Sequence, residues 1–258
     1  MPFSEILQTA GIPEFGWIPF HKELVLPVKS ASRIPAGCRT VIVCLFPYDT
    51  GDDEKRNVSR YAVGRDYHAI VKPLLTDAAE KLNKAFPAHT FVPFVDASPI
   101  TEVRAAAEAG LGVIGQNRLL LTPRYGSYVF IGEILTDLSV PCEAREIRSC
   151  ENCGACLAAC PAKCLTENAP CLSAITQKKG NFSEEEKRLF DLGSLVWGCD
   201  VCQEVCPHNK KIEKTPIAAF YEDRRPFVTE ENVLENFDER AYAWRGKEVI
   251  LRNIRLKE

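Results

Sequence analysis

Long hydrophobic runs are missing from this chain of 258 residues: the longest, Val41 to Phe46, is far too short to cross a bilayer. The N-terminal stretch from Met1 to Gly16 has no basic patch followed by an apolar run, so no secretory signal is expected there. Neither sign of charge is in excess, with 32 Lys and Arg against 35 Asp and Glu and a net charge of −3. That excludes a strongly basic nucleic-acid binder, though not a locally basic one. By region the net charge is −1 over residues 1–149, −3 over 150–207 and +1 over 208–258, so no segment is a polycation. Repeats of solenoid length and low-complexity tracts are also absent. What remains is an ordinary globular composition, 46% hydrophobic and 26% charged, long enough for one large domain or two modest ones. A cytoplasmic protein without a membrane partner is the expectation.

The first half reads as mixed α/β. Thr40 to Phe46 is a β-branched run between Gly37 and Pro47, which predicts a buried strand. From Asp66 to Phe86 the apolar positions Ile70, Leu74, Leu75, Ala78 and Leu82 recur at helical spacing, with Asp66 as N-cap. Phe91 to Val95 predicts a second strand. Ser98 and Pro99 form a good helix-start pair for an Ala-rich helix that stops at Gly110. Leu119 to Thr122 and Ser127 to Thr136 predict two more strands around a turn at Pro123 to Gly126. The division expected is an α/β unit over 1–148, a metal unit over 149–215 and a charged C-terminal tail over 216–258.

Cysteine is the abundant residue: of 12 in the chain, 10 lie between Cys142 and Cys206. A disulfide scaffold would be shorter, denser in cysteine and exported. Cys150-x-x-Cys153-x-x-Cys156-x-x-x-Cys160-Pro161 has the spacing of a bacterial ferredoxin run, whose fourth cysteine serves a different cluster from the first three. An incomplete second copy follows, Cys199-x-x-Cys202-x-x-x-Cys206-Pro207, with Val196 where its first ligand would stand. Seven motif cysteines need an eighth to complete two four-iron clusters, and Cys142, Cys164 and Cys171 are the nearby candidates. Zinc would favour separated pairs instead.

Two motifs in the first half invite over-reading. Gly110-x-Gly112-x-x-Gly115 matches the dinucleotide fingerprint, but a helix precedes it and a strand follows, the reverse of what a pyrophosphate site needs. Gly110 is better read as a helix C′ residue. Asp66-Tyr67-His68 resembles the start of a corrinoid signature whose glycine would fall at Val71, so His68 reads as structural. Asp96 has two readings, a helix-start carboxylate or a proton donor desolvated by a cofactor.

With these residues in view, the chain resembles the epoxyqueuosine reductases, cobalamin- and iron–sulfur-dependent enzymes of tRNA queuosine synthesis. The likeness runs through Ser59 to His68, Phe94 to Pro99, Ala109 to Gly112, Tyr125 to Ser127 and Gly132-Glu133, then the cysteine run and Gly198 to Gln203. Leu251 to Ile254 looks like the point where that family's C-terminal helical repeats begin, which would make this a short form. The resemblance implies a flavin-reductase-like α/β domain of the cobalamin-processing type, followed by a ferredoxin-like module with two [4Fe-4S] clusters. It favours Cys171 as the eighth ligand, giving Cys150, Cys153, Cys156 and Cys206 on one cluster and Cys160, Cys171, Cys199 and Cys202 on the other. It also places Asp96 as the proton donor and Arg60, Arg65, Gln116, Leu120, Thr122, Ser127 and Ile131 around the corrinoid or substrate. The Gly110 to Gly115 loop would approach the cofactor through bare backbone.

The function implied is reductive deoxygenation of epoxyqueuosine in a tRNA anticodon loop, with electrons from a donor such as a flavodoxin or ferredoxin. Unpaired anticodon bases are accessible without opening a duplex. Rival expectations are a corrinoid-dependent reductase of a small organic electrophile and a non-catalytic iron–sulfur electron-transfer protein.

Overall fold

The computed structural model describes residues 3–167 and 169–258. Four antiparallel strands make the main sheet: β1 (Glu14–Pro19), β2 (Thr40–Pro47), β3 (Phe91–Val95) and β6 (Val129–Thr136), in the order β1-β2-β6-β3. Every residue of β2 is buried because it is an inner strand covered on both faces. Helices α1 (Phe3–Thr9) and α2 (Tyr67–Ala85) cover one face. There Ile42, Cys44, Phe46 and Ile134 meet Ile70, Val71, Leu75 and Leu82. The other face carries Val41, Val43, Leu45, Phe94 and Leu135 against Ala105, Ala106 and Ala107 of α3 (Glu102–Glu108). A small second sheet pairs β4 (Val113–Ile114) with β5 (Leu120–Leu121).

Strand β2, helix α2 with its Asp66 cap, β3 and β6 all lie where the periodicity places them. The helix expected from Ser98 does not. Instead Leu26 N–H donates to the Pro99 carbonyl and Thr101 N–H to the Leu24 carbonyl, each at 2.8–2.9 Å. The Ser98 hydroxyl accepts from Ile100 N–H at 3.3 Å, so its capping chemistry is spent on a local turn. Helix α3 then starts only at Glu102 and stops where expected: Gly110, at φ +76°, follows its last turn, and Leu111 N–H reaches back to the Ala106 carbonyl.

The cysteine-rich region is built from short helices, α4 (Ala155–Ala159), α5 (Leu172–Thr176), α6 (Glu184–Asp191) and α7 (Val201–Glu204). Asp200, just before α7 and 1% exposed, ties it to the α/β unit: its carboxylate accepts from Arg56, the Ser59 hydroxyl and Arg60 N–H. The final stretch, ending in α8 (Lys247–Arg255), closes a third core. In it Val228, Val233, Tyr242, Val249, Ile250 and Ile254 pack with Val58, Val63 and the fully buried Trp197. Buried Asn57 and Asn253 pair the backbones across that seam. No helix among the described residues is long and apolar enough to cross a membrane.

Candidate functional site

An open cleft of about 1310 Å³, solvent at its mouth included, lies between the main sheet, the start of α2, the cysteine-rich helices and the final stretch. Tyr48, Tyr67, Leu119, Val129 and Phe130 give it a broad apolar wall, with Tyr67 stacked on Phe130 at 4.1 Å between ring centroids. Ser127, Ser173, Gln177 and Gln203 add polar groups on the side of the cysteines. Ser127 is held in place: its N–H donates to Asn209 Oδ1 and its hydroxyl to Gln203 Oε1, at 2.8 and 2.9 Å. The preceding Gly126, at φ +56°, lies against the same Asn209 amide, where a Cβ would collide.

Asp96 enters the cleft from the loop after β3. Both Asp96 and Ala97 have positive φ, +52° and +41°, a conformation costly for residues other than glycine and a mark of functional loops. Its side chain is 60% exposed. It is no helix-start carboxylate, since α3 begins six residues later. The Tyr67 hydroxyl donates to Asp96 Oδ2 at 3.0 Å, and His68 Nε2 stands 3.3 Å from the same oxygen. His68 Nδ1 is 2.8 Å from Asp66 Oδ1. Asp66 therefore holds the His68 ring from its Nδ1 side and aims Nε2 at Asp96. Burial, then the Asp96 charge, push the Tyr67 hydroxyl far above its ordinary range, so it stays a donor.

The other sequence-predicted contacts scatter. Ser127 lines the cleft; Gln116 lines a smaller cavity against the cysteines instead. Leu120 and Ile131 pack into the α3 face of the core, and Thr122, buried, accepts from Tyr125 N–H in its turn. Arg60 is engaged by Asp49 and Asp52, and Arg65 faces Glu222 and Glu239. None of these five lines the cleft. Nor do Gly110 and Gly112, because the missing Cβ of Gly112 leaves room for the Leu121 carbonyl rather than for a ligand. Trp244, 60% exposed at the mouth with the Arg245 guanidinium 3.6 Å over its ring, carries no motif that would have flagged it.

The cysteines fall into two groups. Cys150, Cys153, Cys156 and Cys206 line one cavity of about 300 Å³ together with Gly115, Asn117 and His208. His208 itself is paired with Glu151 at 2.5 Å. Burial, and then the neighbouring Cys156, Cys153 and Cys150, raise the Cys206 thiol. In the second group burial pushes the thiols of Cys199 and Cys202 up to about 11 and about 12, with Cys171 and Cys160 adding to the rise. Cys164 joins this second group, its sulfur 3.5 Å from that of Cys160, while Cys142 bonds to the Val140 carbonyl. Among the described residues no three ligating side chains converge as on a single metal ion. Thiols crowded in fours can ionise together only around a cationic centre, and four-iron clusters provide one. The cleft reaches neighbours of the second group, through Ser173 and Gln177 beyond Cys171 and Gln203 beside Cys202.

Known proteins match these features. Residues 30–97 match the family model described as Epoxyqueuosine reductase QueG, DUF1730, and residues 149–209 match a 4Fe-4S double cluster binding domain. An epoxyqueuosine reductase of Lactococcus garvieae is 32% identical over 242 residues, covering 84% of this chain and 67% of that protein. The Aliivibrio fischeri enzyme is 36% identical over 181 residues, covering 68% and 48%. The chain spans about half the length of this and the Pseudomonas aeruginosa relative. The structure of epoxyqueuosine reductase from Streptococcus thermophilus superposes with a TM-score of 0.78 at 25% identity, over 99% of this chain and 79% of that one. A crystal structure of an epoxyqueuosine reductase with an epoxyqueuosine-modified tRNA-Tyr stem loop has a TM-score of 0.77 at 23% identity, with the same coverage.

Proposed function

The chain belongs to the epoxyqueuosine reductase family, and on that premise we propose that it removes the epoxide oxygen of epoxyqueuosine in tRNA to give queuosine. The observation that carries this is Asp96: a carboxyl group held by Tyr67 and His68, open to a cleft that leads to the neighbours of the second cysteine group. The assigned ligands are Cys150, Cys153, Cys156 and Cys206 for one cluster and Cys160, Cys171, Cys199 and Cys202 for the other.

A corrinoid fits the cleft. Its flat ring suits the apolar wall of Tyr67, Phe130, Leu119 and Val129, and its peripheral amides suit Ser127, Ser173, Gln177 and Gln203. When bound, it would supply the low-valent metal chemistry that breaks carbon–oxygen bonds, which no side chain here can do. This chain's own residues hold and move the proton. His68, oriented by Asp66, stands with Nε2 3.3 Å from Asp96, close enough for the two to share a proton destined for the departing oxygen. A ring filling the cleft would strip water from Asp96, which is exposed without it. Trp244 at the mouth offers an open face on which an unpaired base can stack, which favours a nucleoside over a small electrophile.

We take residues 1–148 as the corrinoid and substrate unit, 149–215 as the cluster unit and 216–258 as the segment that joins them. A flavodoxin- or ferredoxin-like donor in the cytoplasm would provide the electrons. The test is anaerobic reconstitution followed by incubation with cobalamin and an epoxyqueuosine-bearing anticodon stem loop. Queuosine formed by the wild type and lost in Asp96→Asn supports the reading. Tight NADH binding without cobalamin binding would sink it.

A further inference from the structure

Behind Asp96 stand two carboxyl groups that the mechanism above leaves unused. Glu133 lies mid-strand on β6, opposite Val43 on β2 and Phe94 on β3, and is 0% exposed. Neither of its oxygens completes a hydrogen bond. An ionised carboxylate in that setting would be prohibitively costly, so Glu133 carries a proton. Facing it are the Glu102 carboxyl at the start of α3 and the buried Ser98 hydroxyl, two residues beyond Asp96. Glu102 Oε1 is also buried without a partner. Burial pushes the Glu102 carboxyl up to about 7, and the Asp96 charge pushes in the same direction. From β2 the buried Cys44 thiol feels Glu133 and stays protonated. Arg33, stacked on the Phe94 ring, is directed at the Pro93 carbonyl.

Stoichiometry says what such a pair is for. Taking an epoxide to an alkene breaks two C–O bonds, forms one C=C bond and releases water. It consumes two electrons, which the clusters relay, and two protons. The Asp96–His68 pair holds one of those protons. We propose that Glu102 and Glu133 are a built-in store for the second proton, handed to the Asp96 carboxylate past the Ser98 hydroxyl once Asp96 has given up its own. Glu102 and Glu133 are thus positioning residues that act through Asp96, and the inference rests on the deoxygenation reading.

The store is testable without turnover. In the full chain labelled with 13C at the glutamate carboxyls, NMR titration should show one signal with a midpoint near 7, lost in Glu102→Gln. A second should stay in the protonated form through neutrality and be lost in Glu133→Gln, which keeps the shape of the protonated side chain. Asp96→Asn should lower the Glu102 midpoint by removing a negative neighbour. Two glutamates ionising at ordinary values, or a midpoint indifferent to Asp96→Asn, overturns the proposal. In the reconstituted holoprotein Glu102→Gln should lower kcat by up to about 100-fold with KM unchanged, and abolish the fall in rate above pH 7. A wild-type pH profile in Glu102→Gln overturns the relay. If the titrations behave as stated but the wild type deoxygenates nothing, the reading of the reaction fails and the proton store stands.

Discussion

The sulfur of Cys164 lies 3.5 Å from that of Cys160, so a ninth cysteine stands inside the second ligand group. Cys171 neighbours the Cys164 and Cys199 thiols, whereas Cys164 neighbours Cys160 and Cys171, and Cys171 and Cys164 are the candidates for the eighth ligand. Family resemblance assigns Cys171, which also opens α5 as its N-cap residue and is exposed on the side of the cleft neighbours Ser173 and Gln177.

Iron analysis separates the two. Anaerobic reconstitution should give about eight iron and eight sulfide per chain, as two cubanes require. Cys171→Ser should halve that and Cys142→Ser should leave it whole. Full iron in Cys171→Ser together with half in Cys164→Ser would move the ligand to Cys164.

Stability should respond to pH through the buried carboxyls. Glu102 and Glu133 have folded-state values above the unfolded 4.5. The native chain therefore binds more protons than the unfolded chain above that pH, and the stability present in full below about 4.5 is lost as the pH rises toward 7. Each raised unit is worth about 1.4 kcal/mol. Thermal melts at pH 5 and pH 8 should differ less in the Glu102→Gln/Glu133→Gln double variant than in the wild type. An equal difference in both would show the pair to be ionised at pH 5 already.

Asp200 is the charged hinge pin between the α/β and cysteine-rich units. Its carboxylate is buried against Arg56, and removing it leaves the Ser59 hydroxyl and the Arg60 N–H without their acceptor. Asp200→Ala should cost about 3–5 kcal/mol, read as a lower urea midpoint. A loss under about 1 kcal/mol, the range of exposed pairs, would mean that water reaches this seam.

Much of this was legible in the chain because local signals and tertiary demands agree. The β-branched run of β2 and the helical period of α2 need no partner to be recognised. Strand β1 is different: Glu14–Pro19 carries Gly16 and ends in proline, and it is a strand because β2 offers it an edge. The start of α3 moved because Leu24 and Leu26 pair with the Pro99–Thr101 backbone, contacts more than 70 residues apart. His68 was visible in the sequence, but its role was not, since Asp96 reaches it from another element 28 residues away. Trp244 joins the cleft only through the docking of the final stretch on Trp197, which no local pattern encodes.

The geometry around Asp96 makes separable predictions for its neighbours. Asp96→Asn keeps size and polarity and cannot donate an acidic proton, so turnover should fall by about 10²–10⁴-fold with iron content and cobalamin binding intact. His68→Gln removes the imidazole beside the carboxyl while leaving the carboxyl, so its loss should be smaller and its pH profile altered. Tyr67→Phe deletes one donor at 3.0 Å but keeps the ring stacked on Phe130, so cofactor binding should survive. If Asp96→Asn turns over like the wild type while His68→Gln is inactive, the proton comes from the imidazole, and Asp96 serves to orient it.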